Sequence, residues 1–485
     1  MNEQSDDLLQ LYFQLLNNKE LNEINKCCKK WNKLLPSLPQ LSKYSTFTIE
    51  DYYGSISSSN KKKKKTNGEE EEQKNKYLFH SNLVLNLRSV SISYYLINYI
   101  ISKINIFTNN TNTLSTLYLN FEHYNTIFLK HLFSKLSFVS LKHLKIHFNK
   151  KHGNNYYPNF NLEKVLLSSS SSSSQINFPQ LQSFSFESKL HSPVVQIYNL
   201  TCLEKYKNIL LELRLENVRL TSPKELFVLS KLTNLQKLVL KDIKVYNSIF
   251  YIFPLYNLPS LKEVELVGTG LSLLSSFDNK WEYEDEKENT TYLEKLILSN
   301  ISYSHISSFS KKLKYPSFRT LIYLELKELW EKEKEEEKEK EYKGLLLSST
   351  FNFQFLSFIP NLKHLLLTNC YFTKEPSFPT LECLEEFICS TTFPNLFKDN
   401  QIKYSSFLNT PSAYKSLRKV SFNNIYFTPE DCKGLESLFL NSTSTYLSLF
   451  LQDCNFDPKG KNSIFKSYPS GCFLEPYPNK SLEIK

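Results

Sequence analysis

From about residue 82 to residue 454, large apolar residues return in one short phrase, L-x-x-L-x-L, closed three residues later by an apolar, Asn or Cys position. Leu235, Leu238, Leu240 and Ile243 make one copy, Leu261, Val264 and Leu266 another, and Leu293, Leu296, Leu298 and Ile301 a third. Leu362, Leu365, Leu367 and Cys370 give the Cys form. Leu417, Val420, Phe422 and Ile425 fit, as do Leu210, Leu213, Leu215 and Val218. Weaker copies start at Leu114, Leu141, Leu162, Leu181, Leu321, Leu384 and Tyr446, with a partial one around Leu85. That is about fourteen copies, and the intervals between residues 82 and 446 average about 28 residues.

Alternation inside the phrase predicts a short strand. Its last two leucines share one face and the residues beside them share the other. One copy cannot bury its leucines, but stacked copies bury a continuous ladder. Pro or Ser often stands just upstream, as at Pro259-Ser260, Pro316-Ser317 and Pro360-Asn361, and ends the preceding return segment. The residue between the last two leucines should face the open, concave side. Read down the chain, that row is Tyr118, Lys145, Leu166, Ser185, Arg214, Val239, Glu265, Ile297, Glu325, Leu366, Ile388, Ser421 and Phe450. Fourteen strands at ~4.8 Å would span about 65 Å, enough for a folded protein or a long peptide.

The recurrence resembles the leucine-rich repeat family, of the irregular intracellular type, over roughly residues 78–456. The family's Asn position is mostly Ile, Val or Cys here, and the return segments are uneven. The resemblance implies an α/β solenoid, an irregular leucine-rich-repeat horseshoe. An all-β sandwich and a helical solenoid are the rival folds.

Residues 1–50 depart from the phrase. One helix is readable over about Asp6 to Leu16 and a second from about Lys19 to Leu35. In the second, Leu21, Ile24, Cys28, Trp31 and Leu35 step by three and four along one face. Pro36 and Pro39 stop it. The run LLNNKELNEINKCCKKWNKLL, residues 15–35, resembles the F-box, with Leu16, Leu21, Ile24, Cys28, Lys30 and Trp31 at matching positions. The family's opening Leu-Pro is absent, and residues 4–8 read QSDDL. The resemblance implies a docking segment for a Skp-type adaptor built from Leu9, Leu16, Leu21, Ile24, Cys28 and Trp31. The alternative is a helical cap for the first repeat, which solenoids need.

Four segments cannot bury an apolar face and read as solvated loops: residues 55–76, the seven serines 168–174, the acidic stretch 278–291, and the Glu/Lys run within 331–344. Domain order is therefore a helical head at 1–50, a low-complexity linker at 51–77, repeats at 78–456, and a cap or tail at 457–485. Lys61 to Lys65 read either as a nuclear-localisation or anion-binding run or as a plain loop insert; they supply half the net charge of +10.

Composition narrows the chemistry. Nine glycines in 485 residues never form a phosphate-binding loop pattern. Thirty-six Phe and 30 Tyr can instead fill an extended core. The first ten residues carry Glu3, Asp6 and Asp7 with no basic stretch, which argues against a secretory signal. The best uncharged run, Ser89 to Ser102, is too short and too mixed with Ser and Asn to span a bilayer. Nine Cys without regular spacing point to a reduced compartment, the cytoplasm or nucleus. Cys27-Cys28 and the Cys370, Cys383 and Cys389 set lack metal-site spacing, and His143 with His147, four apart, share a face that in a strand looks to solvent. No nucleophile–base motif is present. The predicted row holds two basic residues, Lys145 and Arg214, against two acidic ones, so no phosphate-tracking stripe forms.

These readings predict a non-enzymatic protein without cofactor, nucleic-acid or membrane partners. Its protein-binding row would be carried by Lys145, Arg214, Val239, Glu265, Ile297, Glu325, Leu366 and Phe450. Through the F-box resemblance it would be the substrate-recognition subunit of a cullin-type ubiquitin ligase, holding the Skp-type adaptor and cullin complex at one end and an unidentified protein substrate on the repeats. The alternative is a leucine-rich protein-binding scaffold with a capped N-terminus.

Overall fold

The structure, a computed structural model, describes residues 46–50, 82–87, 114–121, 129, 132–133, 138–148, 159–167, 177–188, 195–220, 225, 228–245, 258–268, 292–302, 318–330, 353–370, 378–392, 405–408, 413–441, 447–456 and 480–484. The chain divides into two compact units, Met1–Leu232 and Thr233–Lys485. The helices expected before residue 36, with Leu9, Leu16, Leu21, Ile24, Cys28 and Trp31, lie outside the described residues. So do the linker core at 51–77 and the inserts at 168–174, 278–291 and 331–344.

The first unit contains β1 (Thr46–Glu50), β2 (Asn82–Leu87), β3 (Thr116–Phe121), β4 (His143–Phe148), β5 (Asn159–Asn161), β6 (Ser183–Ser188), β7 (Val195–Tyr198), β8 (Glu212–Glu216) and β9 (Val218–Leu220). β1, β2, β3, β4, β6 and β8 pair in that order as a parallel sheet. β5, β7 and β9 form a second, short parallel sheet. The helix α1 (Glu163–Leu166) follows β5.

The second unit contains β10 (Lys237–Lys241), β11 (Lys244–Val245), β12 (Glu263–Val267), β13 (Lys295–Ser302), β14 (Tyr323–Trp330), β15 (His364–Thr368), β16 (Glu386–Ser390), β17 (Lys419–Asn423), β18 (Tyr426–Phe427), β19 (Leu447–Gln452), β20 (Asn455–Phe456) and β21 (Lys480–Ile484). The helices are α2 (Ser405–Leu408) and α3 (Pro429–Asn441). β10, β12, β13, β14, β15, β16, β17, β19 and β21 pair in that order, all parallel. Each unit is thus a leucine-rich solenoid in which one phrase contributes one strand.

The register puts like on like. Leu238, Val264, Leu296, Leu324, Leu365, Phe387, Val420 and Leu449 stand side by side, and so do Leu240, Leu266, Leu298, Leu326, Leu367, Cys389, Phe422 and Leu451. All are buried. Their neighbours in sequence point to the opposite face.

Backbone bonds fix the register at both strand ends. At the entry, two successive N–H groups share one carbonyl of the preceding turn: Lys262 and Glu263 on Gln236, Glu294 and Lys295 on Lys262, Glu385 and Glu386 on Lys363. At the exit, the first N–H past the strand donates forward: Asp242 to Val267, Gly268 to Ser299, Asn369 to Ser390 and Asn424 to Gln452. The first leucine of the phrase closes a short turn onto an apolar residue three before it. Leu261 donates to Leu258, Leu321 to Phe318, Leu362 to Ile359 and Leu384 to Leu381. The upstream Pro-Ser and Pro-Asn pairs at 259–260 and 360–361 lie inside such turns.

At or near the end of several strands the chain turns through a left-handed residue. Asn217, Asp242, Gly268, Asn300, Asn369, Asn424 and Asp453 all have positive φ. Asn, Asp and Gly tolerate that conformation best. This corrects the reading that the repeat had lost its asparagine: the polar corner residue stands one position before the Ile, Val or Cys. Side chains tie corners together. The Asn369 Oδ1 accepts from the Thr392 N–H and hydroxyl (2.8 and 3.1 Å), and Asn424 Nδ2 donates to the Thr391 carbonyl (2.8 Å). The following Cys is buried or nearly so: the Cys370 thiol donates to the Leu326 carbonyl one repeat back, as Cys454 does to Phe422. Burial pushes the Cys454 thiol up to about 11, so it stays protonated and can donate.

Two other expectations change. The weak copy at Leu162 is not a repeat. Leu162, Val165 and Leu166 are spaced for one face of a helical turn, and α1 buries them. Leu166 therefore leaves the predicted row. The sheet also runs past its expected limits. β1 lies inside the span assigned to the helical head, where Thr46, Thr48 and Ile49 favour a strand. β21 lies inside the expected tail and pairs with β19.

Aromatic clusters join return segments to each other and to the strands. Phe133, Phe138 and Phe178 cluster in the first unit. Phe378, Phe387, Phe407 and Tyr414 do so in the second, with Phe387 and Phe407 stacked at 4.2 Å. α3 opens with a reciprocal cap. The Thr428 N–H and hydroxyl donate to the buried Asp431 carboxylate, and the Asp431 N–H donates back to the Thr428 hydroxyl. Pro429 occupies the first helical position, where no N–H is needed.

Leu238→Ala should cost about 2–5 kcal/mol through a cavity in the ladder, read as a lowered melting midpoint; an unchanged midpoint would place Leu238 outside the core. Gly268 has φ +79°, and a Cβ there would stand 2.2 Å from an Asp242 carboxylate oxygen. Gly268→Ala should therefore destabilise by about 1–3 kcal/mol in the same measurement, although it removes no contact.

Candidate functional site

The outward residues of each strand fall into three parallel rows, because successive strands are in register. In the second unit the middle row runs Val239, Glu265, Ile297, Glu325, Leu366, Ile388, Ser421 and Phe450. This is the predicted row, brought together by pairing residues up to 41 positions apart in sequence. Ile297, Leu366, Ile388 and Phe450 are half-buried and reach solvent in part.

Two members do not serve as surface. Val239 keeps its register but is fully buried, and Lys237 and Lys241 on either side reach across to Glu263 (3.4 Å) and Glu265 (2.6 Å). Glu325 is 7% exposed. It accepts the Tyr323 hydroxyl at 3.0 Å and pairs with Lys327 at 2.7 Å. Burial and the Glu325 carboxylate together push the Tyr323 phenol up, which keeps it a donor. Both are corrections to the predicted surface: Val239 belongs to the core, and Glu325 is bonded by Tyr323 and Lys327 of its own strand.

The flanking rows were not singled out from the sequence. Before the middle row stand Lys237, Glu263, Lys295, Tyr323, His364, Glu386, Lys419 and Ser448. Charges nearly alternate along it, and neighbours bind. His364 Nδ1 lies 3.0 Å and Lys419 Nζ 2.6 Å from the two oxygens of Glu386. Lys295 sits over the Tyr323 ring at 4.7 Å and Lys419 over Phe450 at 6.0 Å. The signal was present in sequence as the residue just before the second leucine of each phrase. Beyond the middle row, the strands from β15 onward present Thr368, Ser390, Asn423 and Gln452, all uncharged.

In the first unit the same face carries Tyr118, Lys145, Ser185 and Arg214 in the middle row. Lys145 and Arg214 are not free cations. Both bind Glu187 at 2.8 Å, and Arg214 also binds Glu216 at 2.8 Å. Tyr118 meets His147 Nδ1 at 3.1 Å. Burial pulls the Glu187 carboxyl up, but hydrogen bonds from Lys145 and Ser185 and the charges of Lys145 and Arg214 outweigh it. Its pKa lies below the ordinary carboxylate value.

Among the described residues, no three His, Cys, Asp or Glu side chains cluster as metal ligands. His143 and His147 share the outward face of β4, where His147 bonds Tyr118. No helix among the described residues is long and apolar enough to cross a membrane.

No protein-family model matches this chain, and no curated protein does. Among solved structures, it is similar to an internalin from Listeria monocytogenes at 15% identity and TM-score 0.38, over 76% of this chain and 83% of that one. It is similar to the mouse RP105/MD-1 complex at 16% identity and TM-score 0.27, over 79% and 73% of the two chains. At those values the class of the protein rests on its own geometry: parallel strands, one per leucine phrase, with an outward face of mixed apolar and polar rows.

Because the folded pKa of Glu187 is depressed, the stability it contributes is fully present above the unfolded carboxylate value of about 4.3 and disappears as pH falls through the folded value. Denaturant midpoints measured from pH 7 to pH 3 should fall less steeply in Glu187→Gln than in the wild-type chain. Parallel curves would show that the Lys145–Glu187–Arg214 network contributes nothing.

Proposed function

We propose that this chain is a non-enzymatic protein-recognition module whose second unit binds a protein partner on the outward face of its sheet. The observation that carries this reading is the half-exposed apolar row Ile297, Leu366, Ile388 and Phe450, set between a charged row and a polar one. Apolar and aromatic centres with polar rims are where interface energy concentrates. The internal pairing of Lys145 and Arg214 with Glu187 supports reading those cations as part of the first unit's own surface network rather than as a phosphate-tracking stripe. Affinity capture with the full chain should recover a protein that is lost with Ile388→Asp and kept with Lys433→Asp, an exposed control on α3. Retention by Ile388→Asp would move the binding site elsewhere.

The finer reading makes the chain the substrate receptor of a cullin-type ubiquitin ligase. Its support is the F-box resemblance of residues 15–35. Leu9, Leu16, Leu21, Ile24, Cys28 and Trp31 would hold the Skp-type adaptor, and the repeats would hold the substrate. Such a receptor works by proximity, raising the effective concentration of a target lysine at the charged enzyme. The wild-type chain should co-purify with a Skp-type adaptor, and Trp31→Ala should abolish this at unchanged melting temperature. A wild-type chain that binds no adaptor rejects the ligase reading and leaves the recognition module standing.

A further inference from the structure

The outward face of the second unit repeats its pattern from either end. Across the six strands β13, β14, β15, β16, β17 and β19 the middle row is Ile297, Glu325, Leu366, then Ile388, Ser421, Phe450. Apolar, polar, apolar is followed by apolar, polar, apolar. The mirror point lies between β15 and β16. The row before it reads Lys295, Tyr323, His364, then Glu386, Lys419, Ser448. About the same point His364 is matched with Glu386, Tyr323 with Lys419 and Lys295 with Ser448. On these strands the row beyond the middle one carries a single charge, Lys327, matched with Asn423.

A surface of this kind fits a second copy of itself. In a two-fold pair, if one residue meets a second, the second meets the first, so the patch must complement its own rotated image. A two-fold axis along the strands, between β15 and β16, leaves each row facing itself and reverses its order. Leu366 then meets Ile388, Ile297 meets Phe450, and the Ser421 hydroxyl meets the Glu325 carboxylate. His364 meets Glu386, and Lys419 meets the Tyr323 ring. In none of these rows do two like charges face each other. Neighbouring axis positions lose the match. On β15 the axis sets Glu325 against Ile388, and on β16 it sets Glu386 against itself. One strand earlier Glu325 faces Leu366, and one strand later Ile388 faces Ser421. The four apolar members are only half-buried in the single chain, so each has apolar area left to cover.

We propose that the second unit self-associates as a two-fold pair, face to face through β13 to β19, with the axis between β15 and β16. This rests on the recognition reading above and names its partner as a second copy of this chain. Packed sheets keep their strands within about 30° of one another, which holds like rows opposed near the axis. Six strands at ~4.8 Å and three outward rows at ~6.7 Å make a patch of about 29 by 20 Å. That is below the ~800 Å² per partner of a stable interface, so the pair forms and separates with concentration.

The test uses the full chain in sedimentation velocity over a concentration series. The sedimentation coefficient should rise with concentration. Ile388→Asp should weaken the pair about tenfold or more, because it sets a carboxylate against Leu366. Ser448→Glu should tighten it against Lys295, and Ser448→Lys should loosen it. These opposite shifts keep the proposal falsifiable even if Ile388→Asp misfolds. Cross-linking fixes the axis. Within one chain Ile297 and Phe450 stand five strand steps apart, about 24 Å. A mixture of Ile297→Cys chains with Phe450→Cys chains should cross-link through a short bis-maleimide above the wild-type background, and neither variant alone should. A chain that stays monomeric, association indifferent to Ile388→Asp and to both Ser448 variants, or cross-linking of either single variant with itself would overturn the proposal. If protein capture in those cases still depends on Ile388, the recognition reading stands and only the second copy falls. If capture is also indifferent to Ile388, both fall.

Discussion

A leucine on one strand of this protein has no cover within its own turn. Leu238 is shielded because Val264 stands beside it on the next strand, and Val264 because Leu296 stands beside it in turn. Side-by-side burial depends on register, because a slip of one residue along a strand would exchange its inward and outward faces. The doubled N–H entry bonds and the forward exit bonds fix that register at both strand ends. Stability is therefore a property of neighbouring turns rather than of any single one.

The corner after each strand follows from the same constraint. The chain must leave the sheet without breaking the ladder, and a left-handed residue turns it while its N–H still reaches the next strand. Asn, Asp and Gly recur there because a Cβ-branched residue would be strained. The β16 corner uses Thr391 instead. Its N–H still donates to Asn423 and its carbonyl accepts from Asn424, so hydrogen bonding holds the bend there. Cys370 and Cys454 then close the gap to the preceding turn, a structural use of thiols that their chain spacing does not reveal.

Once the inward face is committed to leucine, the outward face is free to vary, and recognition can be written there. In the first unit it is written as a closed network of Lys145, Glu187, Arg214 and Glu216. In the second it leaves apolar side chains between two different margins. The same backbone thus presents a polar network in one unit and an apolar row between polar ones in the other. A partner gains most where the protein's own groups have not already neutralised each other.

Period-two alternation and the recurrence of L-x-x-L-x-L were enough, in the sequence alone, to place most strands of the repeat phrases and their inward leucines. Those features depend only on which side of a strand a residue faces. The F-box resemblance of the head is likewise a reading of sequence. Other features depended on what stands beside each strand. Leu162 carries leucine spacing but lies on a helical turn, because Val165 and Leu166 bury with it. Val239 and Glu325 occupy surface positions, yet Val239 is buried and Glu325 is bonded by Tyr323 and Lys327. The left-handed corner was visible as an Asn, Asp or Gly letter but not as a conformation. Many charge pairs, such as Lys145 with Glu187 and Lys419 with Glu386, join residues of neighbouring strands that are far apart in sequence. Only the stacking of turns brings such residues within reach of one another.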